Sequence, residues 1–205
     1  MKPFSTIEAH AAPLMENSID TDVIVRIERI AKLKRGEFAP WAFEALRYRP
    51  DGSEEPGFIL NREPYRAAQV LLTGSNFGCG SSREMAVWAL QEFGIGCIIA
   101  PSFGDIFYGN CLQNGILPIR LDRAQVDLLA GGAARGETMT VDLRACTVSM
   151  ASTGTIAFRI PADQREALLS GLDEVDQTLG MTTAVDRFQQ RDRQLRPWAY
   201  DVHAQ

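Results

Sequence analysis

The residues best suited to chemistry lie in one short segment, Gly74 to Glu84, which reads GSNFGCGSSRE. The glycines Gly74, Gly78 and Gly80 let the backbone adopt a positive φ and let a ligand approach the main chain closely. The segment follows an apolar run and precedes a helical pattern, so we expect it to join a strand to a helix. Free amides at such a junction favour an anionic ligand.

Two side chains make the expected chemistry more specific. Ser81 followed three residues later by Glu84 has the spacing of a capping box, which predicts that Ser81 is the N-cap of the helix. The guanidinium of Arg83 matches a carboxylate through two parallel hydrogen bonds. The segment therefore predicts an anion site that contains a serine hydroxyl.

Known glycine motifs do not account for this segment. The chain has no G-x-x-x-x-G-K-[ST] phosphate loop. After Gly78 and Gly80, Arg83 stands where a dinucleotide fingerprint requires glycine or alanine. On the local pattern alone, an ordinary capped helix with Arg83 in a surface salt bridge explains these residues equally well.

The elements that must position the segment alternate as in an α/β fold with a partly parallel sheet. The predicted elements of this half are, in order, a strand at 69–73, a helix at 83–93, a strand at 97–100, a helix at 103–113, a strand at 116–119 and a helix at 123–131. Three β-branched runs then predict an antiparallel meander, followed by helices. These later elements are strands at 138–143, 146–150 and 155–159 and helices at 163–172 and 183–193.

The N-terminal part is less regular. A strand is expected within 4–14, a polar turn at 17–22, a short strand at Val23–Val25, and a helix at 40–46 that opens on a proline. The segment 49–57 is rich in turn formers and charge, and is either a lid or a surface excursion. We expect one domain at residues 1–160 and a C-terminal helical extension at 161–205 packed on it.

Composition excludes several classes of function. The 205 residues carry a net charge of −5 and have no basic footprint for a nucleic acid. The first fifteen residues lack a signal peptide, and no apolar run approaches the roughly 18 residues of a membrane helix, so a cytoplasmic protein without a membrane partner is expected. The two histidines, His10 and His203, lie near the termini, which argues against a histidine triad. The four cysteines form no C-x-x-C pair, which indicates reduced thiols and no metal site in this chain.

The string Asn76–Glu84 resembles the signature of isopropylmalate dehydratase small subunits, which correspond to the swivelling C-terminal domain of aconitase-type hydro-lyases. Further segments agree with that family in the same order along the chain. They are Asp20–Asp22, Phe58–Asn61, Pro101–Tyr108 and Asn114–Pro118. The resemblance implies a swivelling β/β/α domain in the α/β class, with a mixed parallel and antiparallel sheet and flanking helices.

The same resemblance implies roles for single residues. Ser81 would be the catalytic base, and Asp22 would line the active site as a second catalytic residue. Substrate would be bound by a set of polar and small residues around that base. This set is Ser82 and Arg83, which would bind the substrate carboxylate, together with Gly80 and Asn76.

The resemblance also implies partners. The chain would bind no cofactor itself, because a [4Fe-4S] cluster would be held by cysteines of a large subunit. The pair would isomerise 2-isopropylmalate and 3-isopropylmalate, a small dicarboxylate reaction of leucine biosynthesis. Two alternatives stay open: the same chemistry on another alkylmalate such as methylmalate, or a non-catalytic module that binds a carboxylate.

The chain departs from the family pattern just after the signature. Met85 stands where most members carry histidine, and Val87 stands where many carry proline. These changes reflect either drift, with Met85 filling space, or a changed substrate pocket or docking surface for the large subunit.

Overall fold

The computed structural model describes residues 2–200. The chain divides into two compact units, one ending at Gly171 and the other beginning at Leu172. Helix 162–170 belongs to the first unit. The expected boundary at residue 160, and the packing of residues 161–205 on the domain, stay predictions.

The first unit, as described from residue 2 to residue 171, is built on one seven-stranded mixed sheet with the order β4-β3-β2-β1-β5-β6-β7. The strands are β1 (Ile7–Leu14), β2 (Val70–Thr73), β3 (Cys97–Ala100), β4 (Leu117–Arg120), β5 (Thr138–Asp142), β6 (Thr147–Met150) and β7 (Gly154–Ala157). Strands β1 to β4 are parallel, and β5 to β7 continue from β1 as an antiparallel meander. The expected mixed sheet is therefore confirmed.

Strands β2 and β3 are short and fully buried because both faces of the sheet are covered there. On β2 and β3, Leu71 and Ile98 belong to one core cluster, whereas Val70 and Cys97 belong to the cluster on the opposite face. This alternation follows from the period of two along a strand. The sheet is thus the middle layer between two groups of helices.

The helices flank that sheet. They are α1 (Thr21–Ile24), α2 (Ile27–Ile30), α3 (Glu44–Arg47), α4 (Glu84–Phe93), α5 (Asp105–Asn114), α6 (Arg123–Ala134) and α7 (Ala162–Ser170). Helices α4 and α5 pack on one face, while α6 and α7 pack on the other. Helix α6 begins with a complete capping box between Asp122 and Gln125.

Two expectations for the N-terminal part are wrong. The expected strand at Val23–Val25 is replaced by α1, because the Asp20 carboxylate accepts a hydrogen bond from the Val23 amide and starts a helical turn. The expected helix at 40–46 is divided into a 3-10 turn, Ala39–Trp41, and α3. The division occurs at Phe43, whose φ is +55° and whose fully buried ring packs 5.9 Å from that of Phe58. Burial of this ring outweighs continuation of the helix.

The segment 49–57 is a turn held by a backbone hydrogen bond within it and by an arginine outside it. The Arg49 amide donates to the Ser53 carbonyl at 2.8 Å, and the Glu54 carboxylate accepts two hydrogen bonds from Arg66. Two further short 3-10 turns, Ile59–Asn61 and Tyr65–Ala67, lead from this segment to β2.

The second unit, as described to residue 200, contains α8 (Glu174–Gly180), α9 (Thr182–Leu195) and a 3-10 turn at Pro197–Ala199. Helix α9 contains the helix expected at 183–193, whereas α8 has no counterpart among the expected elements. The Asp192 carboxylate accepts hydrogen bonds from Arg196 and Tyr200, which fixes the end of α9. Within residues 2–200, none of the helices has the length and apolar character needed to cross a bilayer.

Candidate active site

The segment with the expected chemistry lies where the parallel strands end. The loops after β1, β2 and β3 meet at the carboxyl edge of the sheet, and Gly74–Arg83 is the loop after β2. In open α/β sheets, ligands bind outside the carboxyl ends of the strands. The position of the segment in the fold is therefore that of a ligand site.

Close contacts explain two of its glycines. A Cβ on Gly74 would lie 2.4 Å from the Glu16 carbonyl oxygen, so only glycine lets this loop pass the end of β1. Gly78 has a φ of +70°, and a Cβ there would lie 2.1 Å from Cγ of the Phe107 ring. Both glycines are therefore needed for close packing under the loop.

The chain that follows β1 runs beside the glycine loop and is bonded to it. The Gly78 amide donates to the Ile19 carbonyl at 2.8 Å, and the Thr21 amide donates to the Cys79 carbonyl at 3.0 Å. The Thr21 hydroxyl donates to the Ser81 carbonyl at 3.0 Å. These bonds fix α1, and with it Asp22, beside the serine pair.

Asp22 and Arg83 form an ion pair between the Asp22 Oδ1 and the Arg83 Nη1. The Arg83 side chain is only 17% exposed, whereas the Asp22 side chain is 53% exposed. The guanidinium is thus held in place by packing and already faces a carboxylate. The surface salt bridge allowed by the local pattern is therefore present, with Asp22 as the carboxylate, and binding of a substrate carboxylate by Arg83 stays a prediction.

The expectation that Ser81 caps the helix is wrong. Helix α4 begins at Glu84, its N-cap is Arg83 in an extended conformation, and no side chain caps it. The Ser81 carbonyl accepts hydrogen bonds from the Thr21 hydroxyl and, at 2.9 Å, from the Arg83 amide. These bonds form a turn before the helix, so Ser81 and Ser82 are exposed and their hydroxyls are not used as caps.

The structure brings five of the six expected site residues into one continuous surface. Gly80, Ser81, Ser82 and Arg83 are consecutive, and Asp22 joins them through Arg83. Gly80 has a φ of +91° and is exposed.

Asn76 lies apart from that group, at the other end of the glycine loop. Its φ is +61°, and its side-chain amide donates to the Ser18 hydroxyl at 3.2 Å. Its backbone amide donates to the Ser102 hydroxyl at 2.8 Å. These contacts hold the loop between the strand ends.

Two residues at this site were not singled out from the sequence. Thr21 fixes the Ser81 carbonyl, and Asn114 at the end of α5 donates to the Glu84 carboxylate at 2.9 Å. Both lie in short segments that resemble the family, Asp20–Asp22 and Asn114–Pro118. Their contacts join residues 60 and 30 positions apart, so no local pattern reveals them.

The cysteines do not fit a [4Fe-4S] cluster within this chain. In the part of the chain that the structure describes, no three His, Cys, Asp or Glu side chains are grouped as a metal site. Burial raises the pKa of the Cys97 and Cys111 thiols, whereas a cluster needs thiolates. The assignment of the cluster to a second chain stays a prediction.

Comparison with known proteins agrees with this geometry. Residues 1–124 match the family model described as the aconitase C-terminal domain. The fold also matches the crystal structure of 3-isopropylmalate dehydratase from Methanocaldococcus jannaschii, with a TM-score of 0.66 at 24% identity, over 89% of this chain and 99% of that one. The fold is thus that of an aconitase-type C-terminal domain.

Relatives at higher identity define a narrower group. The 3-isopropylmalate dehydratase small subunit of Dinoroseobacter shibae is 46% identical over 97% of this chain and all of its own length. That of Gluconacetobacter diazotrophicus is 48% identical over 97% of each chain. The chain belongs to the family of 3-isopropylmalate dehydratase small subunits.

Proposed function

We propose that this chain is the cytoplasmic small subunit of a two-subunit hydro-lyase that interconverts 2-isopropylmalate and 3-isopropylmalate in leucine biosynthesis. The observation that carries the proposal is the pairing of Arg83 with a carboxylate, beside two exposed serine hydroxyls at the carboxyl edge of the sheet. The names of the relatives support the enzyme class and a large-subunit partner.

In this proposal Arg83 and Ser82 bind one carboxylate of the substrate, and Gly80 lets that carboxylate approach the main chain. The Asp22 side chain is more than half exposed, so water can solvate its carboxylate when the pair with Arg83 opens. A substrate carboxylate can therefore share or replace this partner. Because Arg83 is largely buried, its guanidinium does not need to be ordered when substrate binds.

Ser81 acts as the base. Its alkoxide oxygen takes the proton from the carbon next to a carboxylate, the C–H electron pair becomes the double bond, and hydroxide leaves the neighbouring carbon. In the return step hydroxide adds to the carbon that lost the proton, and the proton adds to the carbon that lost hydroxide, which gives the isomer. The start of α4 and the Arg83 guanidinium supply positive potential close to Ser81, which stabilises an alkoxide.

We assign the [4Fe-4S] cluster, and with it the Lewis acid that assists departure of hydroxide, to the large subunit. The lack of a grouped set of thiols in the described part of this chain supports that assignment. Asn76 is proposed as a substrate contact, although its side chain is already bonded to Ser18, so its contribution is expected to be smaller than that of Ser82.

The proposal is tested by anaerobic co-purification with a candidate large subunit. The absorbance of the unsaturated intermediate is then followed with 3-isopropylmalate and, in parallel, with methylmalate. Activity on isopropylmalate only when both chains are present is the expected result. Preference for methylmalate would change the substrate, and a chain that binds small carboxylates without any turnover in the complex would point to a binding module instead.

A further inference from the structure

Asn114 is a buried polar residue at the C-terminal end of α5, only 3% exposed. The oxygen and the nitrogen of its carboxamide each make two hydrogen bonds. Oδ1 accepts from Arg35 Nη2 and from Trp88 Nε1, each at 3.0 Å, and Nδ2 donates to Glu84 Oε1 and to the Asn110 carbonyl, each at 2.9 Å. Because arginine and tryptophan nitrogens only donate, the oxygen must face them and the orientation of the amide is fixed.

This residue joins α4 to the end of α5 at two points. Its side chain holds Glu84, the first residue of α4, and its backbone carbonyl accepts a hydrogen bond from Gln91 Nε2, two turns further along the same helix. The N-terminus of α4 has no side-chain cap of its own. The first turn of α4 is therefore fixed through the bond from Asn114 to Glu84.

We propose that Asn114 is a positioning residue for the serine pair and Arg83. Glu84 follows Arg83 directly, so a shift of the first turn moves Ser81, Ser82 and the guanidinium together. A displacement of about 1 Å at a reacting group can cost on the order of 100-fold in rate. The proposal rests on the proposed function, since it takes Ser81–Arg83 as the reacting site.

The direction of the hydrogen bond between Asn114 and Glu84 can be reversed by substitution of both residues. Asn114→Asp keeps an acceptor for Arg35 and Trp88 but places its second carboxylate oxygen against Glu84 and the Asn110 carbonyl, so the bonds to α4 and to Asn110 are lost. Adding Glu84→Gln gives the helix a donor that faces the new acceptor. Trp88→Phe is the matched control, because it removes a hydrogen bond to the same buried oxygen and leaves the bond to Glu84 intact.

Four small subunits are assayed in the reconstituted complex, each well below its melting temperature. They are wild type, Asn114→Asp, the double variant and Trp88→Phe. Asn114→Asp is expected to lower kcat at least about tenfold with a smaller change in KM, because proton transfer is more sensitive to a small displacement than a hydrogen bond to the carboxylate is. The double variant is expected to regain most of that loss, and Trp88→Phe to remain within about threefold of wild type.

Two outcomes would overturn the proposal. In the first, Asn114→Asp shows no loss of kcat. In the second, Asn114→Asp loses kcat, the double variant does not restore it, and Trp88→Phe shows the same loss. Ser81→Ala is assayed in parallel to separate this failure from failure of the proposed function. If Ser81→Ala keeps normal turnover, the assignment of the base is wrong. If Ser81→Ala is inactive while Asn114→Asp is normal, only the positioning role of Asn114 is wrong.

Discussion

The Arg83 guanidinium is paired with the Asp22 carboxylate, although the two residues are 61 positions apart in the sequence. One follows β2 and the other follows β1, and the two strands are parallel neighbours. Parallel pairing therefore brings an acidic and a basic side chain, Asp22 and Arg83, to the same edge of the sheet. The site contains its own carboxylate at the position where a substrate carboxylate is proposed to bind.

If Asp22 is catalytic, as the family resemblance implies, Asp22→Asn is expected to lower kcat about tenfold or more. KM should stay unchanged or fall, because the change also removes a negative charge from the proposed site of the substrate carboxylate. The measurement is steady-state kinetics of the reconstituted complex. Asp20→Asn is the matched control, since it makes the same charge change nearby and asparagine still caps α1. A raised KM with normal kcat in Asp22→Asn would contradict the catalytic role.

Ser81→Ala and Ser82→Ala should separate the two proposed serine roles. Loss of the base is expected to reduce kcat by at least about 100-fold, the usual scale of general base catalysis. Loss of a carboxylate contact is expected to raise KM more than it lowers kcat. Equal effects of the two substitutions on kcat and on KM would show that the roles are not divided in this way.

Gly78→Ala is expected to destabilise the fold strongly, because its Cβ would overlap the Phe107 ring at 2.1 Å. Overpacking of this kind costs about 1–3 kcal/mol, in addition to about 1–2 kcal/mol for an alanine in the left-handed region. Gly136→Ala is the control, since Gly136 has a φ of +79° and no heavy atom within 4 Å of its Cβ position. Urea unfolding of the isolated chain should show a clearly larger loss for Gly78→Ala; equal losses would mean that the Phe107 contact is unimportant.

The pair formed by Arg29 and Glu44 should make stability depend on pH. Arg29 donates to Glu44 at 2.6 and 3.0 Å, and this hydrogen bonding holds the pKa of Glu44 below its ordinary value of 4.5. A carboxyl group with a lowered folded pKa stabilises the fold fully above its unfolded pKa, and that contribution is lost as the pH falls through the folded pKa.

Glu44→Gln is therefore expected to be less stable than wild type at pH 7, by about 1 kcal/mol. The difference should shrink as the pH falls below about 4.5. Urea unfolding of both proteins from pH 7 to pH 4 and below measures this difference. A difference that is constant across this range would assign the loss to packing rather than to the charge of Glu44.

The cysteines should react in two classes. Cys97 and Cys111 are fully buried and their pKa is raised by desolvation, whereas Cys79 and Cys146 are half-buried. Alkylation of the native chain at pH 8, followed by peptide mass spectrometry, is expected to label the second pair first because only accessible thiolates react. Early labelling of Cys97 or Cys111 would show that the core opens more readily than its packing indicates.

The central βα alternation could be predicted from the sequence because its strands are short buried runs and each helix has one buried face. The strand expected at 97–100 is observed at Cys97–Ala100, and the helix expected at 83–93 is observed at Glu84–Phe93. Such short apolar strands are separated by helices with one buried face, so local pattern and tertiary packing agree.

The details of the site could not be predicted in the same way. Local spacing placed Ser81 at the helix N-cap, but the Thr21 hydroxyl holds its carbonyl from 60 residues away and the helix starts at Glu84. The resemblance named Asp22 and Arg83 separately, yet only the pairing of β1 with β2 joins them. Contacts between distant segments decided each of these points, and a sequence pattern reports mainly on neighbours.

The place of β1 in the sheet has a consequence for how the protein folds. This first strand lies between β2 and β5, with Ala11 opposite Val70 and Ile7 opposite Val141. During synthesis it leaves the ribosome before the other strands of this sheet, and β5, the second of its partner strands, appears more than a hundred residues later. Sheet closure requires such non-local pairing, which is slow and leaves apolar strands unpaired in the meantime. We therefore expect the nascent chain to need protection from aggregation until β5 has emerged, and to bind a second subunit only after that point.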